Sequence, residues 1–580
     1  MSLEKLITDN IDTWTSTVKT KSTTGRGSSK KLELYGVKKL RELILELAVR
    51  GKLVFQEPND EPASVLLERI AQEKAQLVKE KKIKKPKALP DMDEEKPFLI
   101  PSNWSWSQLG FLTNYGVCEK AESTSVSDDT WVLELEDVEK TTSKLLKKVR
   151  FSERAFKSSK NQFQPQDVLY GKLRPYLDKV LIADEHGVCT TEMIPVRAYR
   201  DLIPSYLRLV LKSPYFINYA NDSTHGMNLP RMGTDKARAA LFPLAPLSEQ
   251  HRIVAKVDEL MTLCDQLEQQ TEASIEAHQV LATTLLDTLT NSANAQELMQ
   301  NWQMVAEHFE TLFTTEESID QLKQTILQLA VMGKLVPQDP NDEPAANLLE
   351  RIAEEKAQLI KDKKIKKQKA LPPITEDEKP FELPNGWEWV QCVDTARPET
   401  TITYGILKPV WKHAGVPTVR IKDMVNGSLV LTDIVYCCPE RASKFDKTTL
   451  IEGDLLIAKD GATLGKTAFV PPELAGGNVT QHVLRFSISP TLNKEFIRLI
   501  IDSPIGQGFM KGETKGVALP GINVGDFRKM PIALPPLAEQ QLIVEKVEVL
   551  LSICNELKQN ICNSQQTQFH LSDAIVEQAI

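Results

Sequence analysis

Residues 58–90 read PNDEPASVLLERIAQEKAQLVKEKKIKKPKALP, and residues 340–372 read PNDEPAANLLERIAEEKAQLIKDKKIKKQKALP. The two stretches begin 282 positions apart and are identical at 27 of 33 positions. The blocks that follow them repeat far less well. Nearly identical connecting segments with different blocks between them are typical of a scaffold that presents two different functional surfaces.

The repeat extends on both sides of these stretches. Upstream, apolar residues recur at helical spacing in both copies and match one another: Val37, Leu40, Ile44 and Leu47 correspond to Ile319, Leu322, Ile326 and Leu329. Gly51 and Gly333 follow in AVRGKLV and AVMGKLV, where a glycine suits the end of a helix. Each PNDEP turn then leads into a second predicted helix.

A second repeat lies after each variable block. Residues 246–270 read PLSEQHRIVAKVDELMTLCDQLEQQ, and residues 536–560 read PLAEQQLIVEKVEVLLSICNELKQN. Both carry a narrow apolar seam at heptad spacing, which is typical of a helix that packs against another helix. The predicted helix-pair spacer comprises Ile253, Val257, Leu260, Cys264, Leu267, Ile543, Val547, Leu550, Cys554, Leu557 and Ile561. The alternative is an amphipathic helix that lies on its own domain.

The order of the repeats predicts a pseudo-twofold α+β molecule. Residues 98–246 and 381–536 contain short β-branched runs broken by Gly and Pro, and each predicts a globular α/β domain. Helical segments flank them at 1–97, 247–380 and 537–580. The predicted fold is therefore two α/β domains separated by a long antiparallel helical, coiled-coil spacer.

Composition narrows the class of protein. The chain has 580 residues and a net charge of −8, and it lacks the run of about 20 apolar residues that a membrane helix needs. Its eight cysteines form no C-x-x-C pair, which favours a cytoplasmic protein with no disulfide framework and no zinc site. Residues 98–246 hold 19 Lys and Arg against 17 Asp and Glu, so the overall acidity does not exclude a nucleic-acid partner.

Several motifs suggest catalysis, but none is complete. Gly461–Thr467 reads GATLGKT, one residue too short for a phosphate-binding P-loop, and Asp460 would repel phosphates. Asp502, Glu513 and Lys515 resemble a nuclease pattern, yet such spacings are common by chance and Lys515 falls in a predicted loop. His482 is predicted to be a partly buried strand residue. We therefore predict no catalytic residue, bound cofactor or metal in this chain.

Basic segments at corresponding places in the two blocks are the candidate binding residues. Each follows a strand that begins D-V-L or D-L-L, or surrounds an L-P dipeptide before the seam helix. Cations placed there can contact DNA phosphates or base edges. The predicted DNA-binding residues are Lys172, Arg174, Tyr176, Lys179, Arg231, Lys236, Arg238, Lys459, Lys466, Lys515, Arg528 and Lys529. For any one of them alone, a solvated surface residue remains the simpler interpretation.

Nearly the whole chain resembles the specificity subunit of a type I restriction–modification enzyme, most closely the type IB group. The resemblance is carried by LRELILELAVRGKLV (40–54), the PNDEPA repeats, KPFELPNGWEW (379–389), PLSEQHRIV (246–254) and the matching PPLAEQ segment (535–540). It implies two target recognition domains, each of which reads one half of a split, asymmetric sequence in double-stranded DNA.

The resemblance also implies that the chemistry belongs to other chains. Two methylation subunits and two restriction subunits would join the full complex and carry adenine N6 methylation and cleavage. S-adenosylmethionine, ATP and Mg would bind to those partners, and no membrane would be involved. Residues 291–318 depart from the twofold pattern and are predicted to be helical, with Trp302, Val305, Phe309 and Phe313 available for packing.

Two other classes of protein remain as alternatives. A self-contained restriction enzyme would cleave or methylate DNA as the purified chain. An assembly scaffold would show no sequence-dependent DNA affinity even with its partners. The recognition subunit predicts instead that Arg174→Ala weakens one half of the target and Lys459→Ala only the other.

Overall fold

The computed structural model describes residues 3–21, 31–92, 96–226, 229–293, 295–367, 370–512 and 521–580. It divides into two compact units. Unit 1 comprises Met1–Ser274 and Ser564–Ile580, and unit 2 comprises Ile275–Asn563. The five segments predicted from the sequence thus combine into two units, and their individual limits stay a prediction.

Helices of unit 1 come from both ends of the chain. In chain order they are α1 (Leu3–Asp9), α2 (Ile11–Ser16), α3 (Tyr35–Val49), α4 (Ala63–Lys79), α5 (Leu109–Leu112), α6 (Pro204–Lys212), α7 (Pro214–Asp222), α8 (Thr234–Ala239), the first part of α9 (Leu247–Asn291) and the last part of α18 (Leu537–Ala579).

Short strands fill the part of unit 1 between α4 and α9. With the hairpin that precedes α3, they are β1 (Val18–Lys21), β2 (Lys31–Leu34), β3 (Ser105–Gln108), β4 (Lys120–Ala121), β5 (Trp131–Leu133), β6 (Lys160–Phe163), β7 (Val168–Gly171), β8 (Val180–Ile182), β9 (Gly187–Cys189), β10 (Met193–Val196), β11 (Thr224–His225), β12 (Arg231–Met232) and β13 (Leu241–Leu244).

Unit 2 repeats this plan. Its helices are the rest of α9, then α10 (Ala295–Glu307), α11 (Phe309–Leu312), α12 (Glu316–Val331), α13 (Ala345–Lys361), α14 (Pro439–Ala442), α15 (Lys494–Asp502), α16 (Pro504–Gly512), α17 (Val524–Arg528) and the first part of α18 (Leu537–Ala579). Its strands are β14 (Glu388–Gln391), β15 (Thr403–Tyr404), β16 (Trp411–Lys412), β17 (Val416–Val419), β18 (Met424–Val425), β19 (Ser428–Leu429), β20 (Val435–Cys437), β21 (Leu455–Ala458), β22 (Thr467–Phe469), β23 (Asn478–Val479), β24 (Val483–Phe486) and β25 (Pro531–Leu534).

The α/β part of each unit has the same strand connections. In unit 1 the central strand β7 pairs antiparallel with β8 and β10, and in unit 2 β21 pairs antiparallel with β22 and β24. A second sheet in each unit contains one parallel pair, β5 with β9 in unit 1 and β17 with β23 in unit 2. The predicted pair of α/β domains is confirmed.

Each central strand is buried on both sides. All four residues of β7 and all four of β21 are buried, which explains why their sequences run apolar without alternation. Each pairs with a strand that is also buried, β10 and β24. The loops that follow β7 and β21 therefore begin at rigid, buried strands.

The helices of the internal repeats pack against one another in each unit. In unit 1, α3 lies against α9, where Arg41 contacts Asp265 at 2.6 Å, and against the end of α18, where the Tyr35 hydroxyl donates to Asp573 at 2.9 Å. In unit 2, α12 lies against α18, where Lys558 contacts Asp320 at 2.7 Å.

Helix directions follow from the order of the contacts. Along α12 of unit 2, Gln279 pairs with Glu317 and Thr283 with Gln321, so this part of α9 runs parallel to α12. By contrast, Lys558 pairs with Glu316 whereas Asn555 pairs with Lys323, so α18 runs antiparallel to α12. The segments of α9 and α18 in this unit are thus antiparallel, as the fold prediction required.

The predicted seams are the buried stripes of the long helices. Ile253, Leu260, Cys264, Ile543 and Cys554 are among their fully buried members. In unit 2 the seam of α18 shares one hydrophobic core with α12 and α15. The α18 seam is therefore covered by helices of its own unit, and direct pairing of one seam with the other stays a prediction.

The matched glycines end matched helices. Gly51 follows α3 with φ +68°, and Gly333 follows α12 with φ +69°. A side chain there would be strained, because L residues rarely adopt this left-handed conformation. A Cβ at either position would also lie 2.5 Å from a proline Cγ, that of Pro101 or Pro384. The predicted helix ends are confirmed.

Residues 291–318 are helical, as predicted. Helices α10 and α11 occupy this stretch, and Val305 and Phe313 are buried in the core of unit 2. The Phe309 and Phe313 rings pack at a tilt of 49° with their centroids 4.8 Å apart. Within the described residues, no helix is both long enough and apolar enough to cross a membrane.

Candidate nucleic-acid interface

Three loops of unit 1 join through main-chain hydrogen bonds at the end of β7. The Lys172 N–H donates to the Glu192 carbonyl at 3.0 Å, and the Met232 N–H donates to the Lys172 carbonyl at 3.0 Å. Leu173 also forms an isolated bridge with Arg231. The two basic segments that the sequence predicted separately, around 172–179 and 225–238, are thus brought together.

Unit 2 has the same junction at the end of β21. The Lys459 N–H donates to the His482 carbonyl at 3.0 Å, and the Ile522 N–H donates to the Lys459 carbonyl at 3.0 Å. Asp460 forms a bridge with Gly521. We call residues 172–173, 191–192 and 231–232 the unit 1 junction, and residues 459–460, 481–482 and 521–522 the unit 2 junction.

The shared hydrogen bonds define which residues correspond. Lys172 matches Lys459, and Met232 matches Ile522, because each pair makes the same main-chain bonds. By the same register Glu192 matches His482, Leu173 matches Asp460, and Arg231 matches Gly521. Only the lysine is common to both junctions, so one backbone frame carries two different sets of side chains.

An exposed ion pair dominates the unit 1 junction. The Arg231 Nε donates to both carboxylate oxygens of Glu192, at 3.1 and 3.0 Å. Arg174 takes the left-handed conformation with φ +52°, and its N–H donates to the Pro230 carbonyl at 2.7 Å. Tyr176 in the following turn is 52% exposed. An arginine, a carboxylate and an aromatic ring are therefore presented together.

The other predicted residues of unit 1 are more dispersed. Lys179 donates to the Leu135 carbonyl at 2.6 Å, and burial lowers its pKa. Arg238 donates to the Lys87 carbonyl at 2.9 Å, and Lys236 lies exposed on α8. Lys179 is thus engaged with its own unit, whereas Lys236 is open to solvent.

A chain of polar side chains crosses the unit 2 junction. Asp460 accepts a hydrogen bond from Lys459 at 2.8 Å and lies 2.8 Å from His482 Nδ1. The Gln481 amide nitrogen lies 3.1 Å from His482 Nε2. Beside them the Lys459 ammonium stands 6.0 Å above the half-exposed Tyr404 ring. All these groups lie at the open end of β21 and β24.

Among the remaining predicted residues of unit 2, some are exposed to solvent and one bonds to its own unit. Lys466 is exposed, and Lys529 lies 3.9 Å from Asp526. Arg528 donates to the Ile402 carbonyl at 3.1 Å through Nε, and burial lowers its pKa. Lys515 lies outside the described residues.

Three residues of this junction were not predicted from the sequence. Asp460 entered only as an argument against phosphate binding, and Gln481 did not enter at all. His482 was expected to be a partly buried strand residue, which is wrong: it lies in the turn before β24, and its side chain is 52% exposed. The turn was missed because the sequence between Val479 and Phe486 contains no Gly or Pro to mark it.

Among the described residues, no group of His, Cys, Asp and Glu is arranged to hold a metal ion. The exposed groups at the junctions are hydrogen-bond donors, acceptors and cations, held by main-chain bonds at strand ends. Such groups suit recognition of base edges and phosphates.

Comparison with known proteins gives consistent results. Residues 406–564 match the family model described as "Type I restriction modification DNA specificity domain". A chain from a solved structure of a type I R-M system has a TM-score of 0.50 at 19% identity, covering 83% of this chain and 99% of that chain, which shows a shared fold.

Two curated relatives from Escherichia coli match from end to end. The EcoAI specificity subunit is 43% identical over 600 residues, and the EcoEI specificity subunit is 39% identical over 613 residues. Each alignment covers 100% of this chain and 100% of the relative. The chain therefore belongs to the family of type I restriction enzyme specificity subunits.

Proposed function

We propose that the two junctions are the DNA-reading surfaces of this specificity subunit, each directed at one half of a bipartite, asymmetric target. The supporting observation is the shared backbone with different side chains. Arg231 and Glu192 in unit 1 stand where unit 2 has Gly521 and His482. Two sites that must read different sequences need this combination of a constant frame and variable contacts.

The exposed cations would supply the contacts that do not depend on sequence. Lys236 and Lys466 are open to solvent, and a lysine ammonium binds phosphate oxygens as a point charge. Arg231 can exchange its carboxylate partner for a guanine edge, since bidentate arginine–guanine pairs are the commonest specific contact. Affinity and specificity would then depend on different residues.

The same proposal assigns the chemistry to partner chains. Two methylation subunits would supply S-adenosylmethionine-dependent adenine N6 methylation, and two restriction subunits would supply ATP- and Mg-dependent cleavage in the cytoplasm. This chain would be non-catalytic. The incomplete P-loop at 461–467 supports that division, because an ATP-driven motor needs a phosphate-binding loop.

The test begins with a map of methylated adenines in DNA from cells that carry the complete system. The motif should be bipartite, with unlike halves. The complex of this chain with its methylation subunits is then titrated with duplexes that are altered in one half at a time. Arg174→Ala should weaken discrimination in one half, and Lys459→Ala in the other half only.

Lys82→Ala is the matched control, since Lys82 is 68% exposed beyond the end of α4. It should leave discrimination in both halves unchanged. Equal loss across all duplexes from Arg174→Ala and Lys459→Ala would reduce both residues to phosphate contacts. A wild-type complex with no sequence preference would overturn the proposed function itself.

A further inference from the structure

We propose that Gln481 reads an adenine in the half of the target that unit 2 recognises, and that Asp460 and His482 act as positioning residues for its amide. This inference rests on the proposed function of the unit 2 junction. Gln481 was not among the predicted DNA-binding residues, and its assignment comes from the hydrogen bonds around it.

The carboxylate of Asp460 sets the state of the histidine ring. His482 Nδ1 lies 2.8 Å from Asp460 Oδ2, and a carboxylate can only accept, so the ring donates through Nδ1–H. In the neutral ring Nε2 is then the acceptor. Lys459 contacts Asp460 from the other side at 2.8 Å, which holds the carboxylate in place.

The acceptor at Nε2 in turn sets the orientation of the glutamine amide. The Gln481 amide nitrogen lies 3.1 Å from His482 Nε2 and donates one N–H to it. With the amide turned over, its oxygen would face an acceptor and the bond would be lost. The Lys459–Asp460–His482 chain therefore fixes which end of the Gln481 amide is nitrogen.

The main chain that carries Gln481 is held in place by hydrogen bonds. The Gln481 N–H donates to the Ile406 carbonyl at 3.1 Å, and the Ile406 N–H donates to the Val479 carbonyl at 2.7 Å. Gly405 permits this approach, because a Cβ there would lie 1.8 Å from the Val479 carbonyl oxygen. Gly521 likewise makes room for Asp460, since its Cβ would lie 2.4 Å from Oδ1.

What remains on Gln481 is one N–H donor and the Oε1 acceptor. Within the described part of the chain neither has a hydrogen-bond partner, and the side chain is partly exposed. A fixed donor beside a fixed acceptor matches the major-groove edge of adenine, where N7 accepts and the N6 amino group donates. Guanine presents two acceptors there, so it would leave Oε1 without a donor.

The unit 1 junction, whose residues are all described, has no such amide. Thr191 stands where unit 2 has Gln481, and Glu192 pairs with Arg231 instead of orienting a neighbour. The inference is therefore specific to unit 2. It predicts an adenine-specific position in one half of the target without assigning a base to the other half.

The experiment uses the complex of the full chain with its methylation subunits. Duplexes carrying the mapped target are varied one base pair at a time, and a further duplex carries 7-deazaadenine, which lacks the N7 acceptor. At one A·T position in the unit 2 half, wild type should lose about 10- to 100-fold in affinity with either change. Gln481→Ala should show almost no discrimination at that position and keep it elsewhere.

Gln481→Glu is the second variant, because a carboxylate accepts from the cytosine N4 amino group and should shift the preference from adenine towards cytosine. The matched control is Gln541→Ala, which removes an exposed glutamine on α18 that bonds to Glu545. Retained discrimination at the other positions of the unit 2 half shows that unit 2 of each variant is folded.

The positioning role has its own readout. Gly521→Ala should displace the Asp460 carboxylate and reduce discrimination at the same A·T position, without changing the others. An unchanged discrimination profile for Gln481→Ala, or loss at a G·C position, would overturn the inference while the bipartite motif stood. Absence of any motif in wild type would instead remove the proposed function.

Discussion

Trp104 and Trp387 occupy matching places in the two units, and each donates its indole N–H to a buried carboxylate. Trp104 Nε1 lies 2.9 Å from Glu249, and Trp387 Nε1 lies 2.8 Å from Glu539. Burial raises the pKa of both carboxyl groups. The identical Glu-Gln pairs at the start of the long helices are thus explained by buried hydrogen bonds that join helix and α/β domain.

Trp104→Phe should lower the free energy of unfolding of unit 1 by about 1–3 kcal/mol, because it leaves a buried carboxylate without one of its donors. Denaturant unfolding followed by hydrogen exchange in α6 would measure the loss. Trp106→Phe is the control, since Trp106 is only partly buried. Equal effects from both substitutions would show that ring packing, not the indole bond, is what matters.

Lys74 makes the stability of unit 1 depend on pH. Its ammonium lies among the rings of Phe111 and Tyr199, 4.8 and 4.9 Å from their centroids, and burial lowers its pKa to about 8. Between pH 8 and about 10.5 the folded state binds fewer protons than the unfolded state, so the stability from this group rises with pH. Below pH 8 its contribution is constant.

Lys74→Met should abolish that rise. Denaturant unfolding of wild type and variant at pH 8 and pH 10 would measure it, with the exposed Lys79→Met as control. A wild-type curve whose difference from Lys74→Met does not change between the two pH values would contradict the assignment.

At the level of elements, the β-branched runs at 188–197 and 479–486 each form two strands separated by a turn. Unit 1 divides its run into β9 and β10, and unit 2 into β23 and β24, which belong to different sheets. The turns between them are held by Thr190 and Thr480, whose N–H groups donate to carbonyls of the neighbouring strand ends.

The junction residues were hidden for the same reason. Thr480, Gln481 and His482 include no Gly or Pro, so the sequence does not mark this turn. Only the strand pairing of the folded protein reveals it. The basic segments were predictable because the strands before them begin alike and the cations recur. The Asp460–His482 contact was not, because the register of β21 on β24 places it across 22 positions of chain.

The end of α18 belongs to unit 1, although the helix begins in unit 2. In unit 1 the Tyr35 ring meets Phe569 edge-on with centroids 5.1 Å apart, and Lys39 pairs with Asp573 at 3.2 Å. Removal of residues 564–580 should therefore expose one side of α3 and weaken it.

Hydrogen exchange on the shortened chain tests this expectation. Amides of α3 should exchange faster than in the full chain, whereas those of the α12 core, which lies outside unit 1, should keep their protection. Unchanged protection in α3 would contradict the assignment of this segment to unit 1.

For the whole molecule, the internal repeat was enough to predict the pair of α/β domains and the antiparallel helices. Near-identical connectors occupy similar environments: the matched residues Leu66 and Leu348, and Ile70 and Ile352, are all buried. The repeat could not show how the five segments combine. Helices far apart in sequence complete each core, and only three-dimensional contacts reveal this.

Exchange of residues 98–246 for the corresponding block of a relative should change one half of the methylated motif and leave the other half intact. The reason is that the unit 1 junction lies wholly within this block, while the unit 2 junction lies wholly outside it. Methylated-adenine mapping would measure the outcome. A motif altered in both halves would mean that the junctions do not act separately.

The main-chain hydrogen bonds of the junctions have a consequence for how such proteins diversify. Main-chain hydrogen bonds tie the three loops of each junction together, so this backbone arrangement does not depend on the identity of any one side chain. Point substitutions at these positions can create a new target preference while leaving the stability of the scaffold nearly intact.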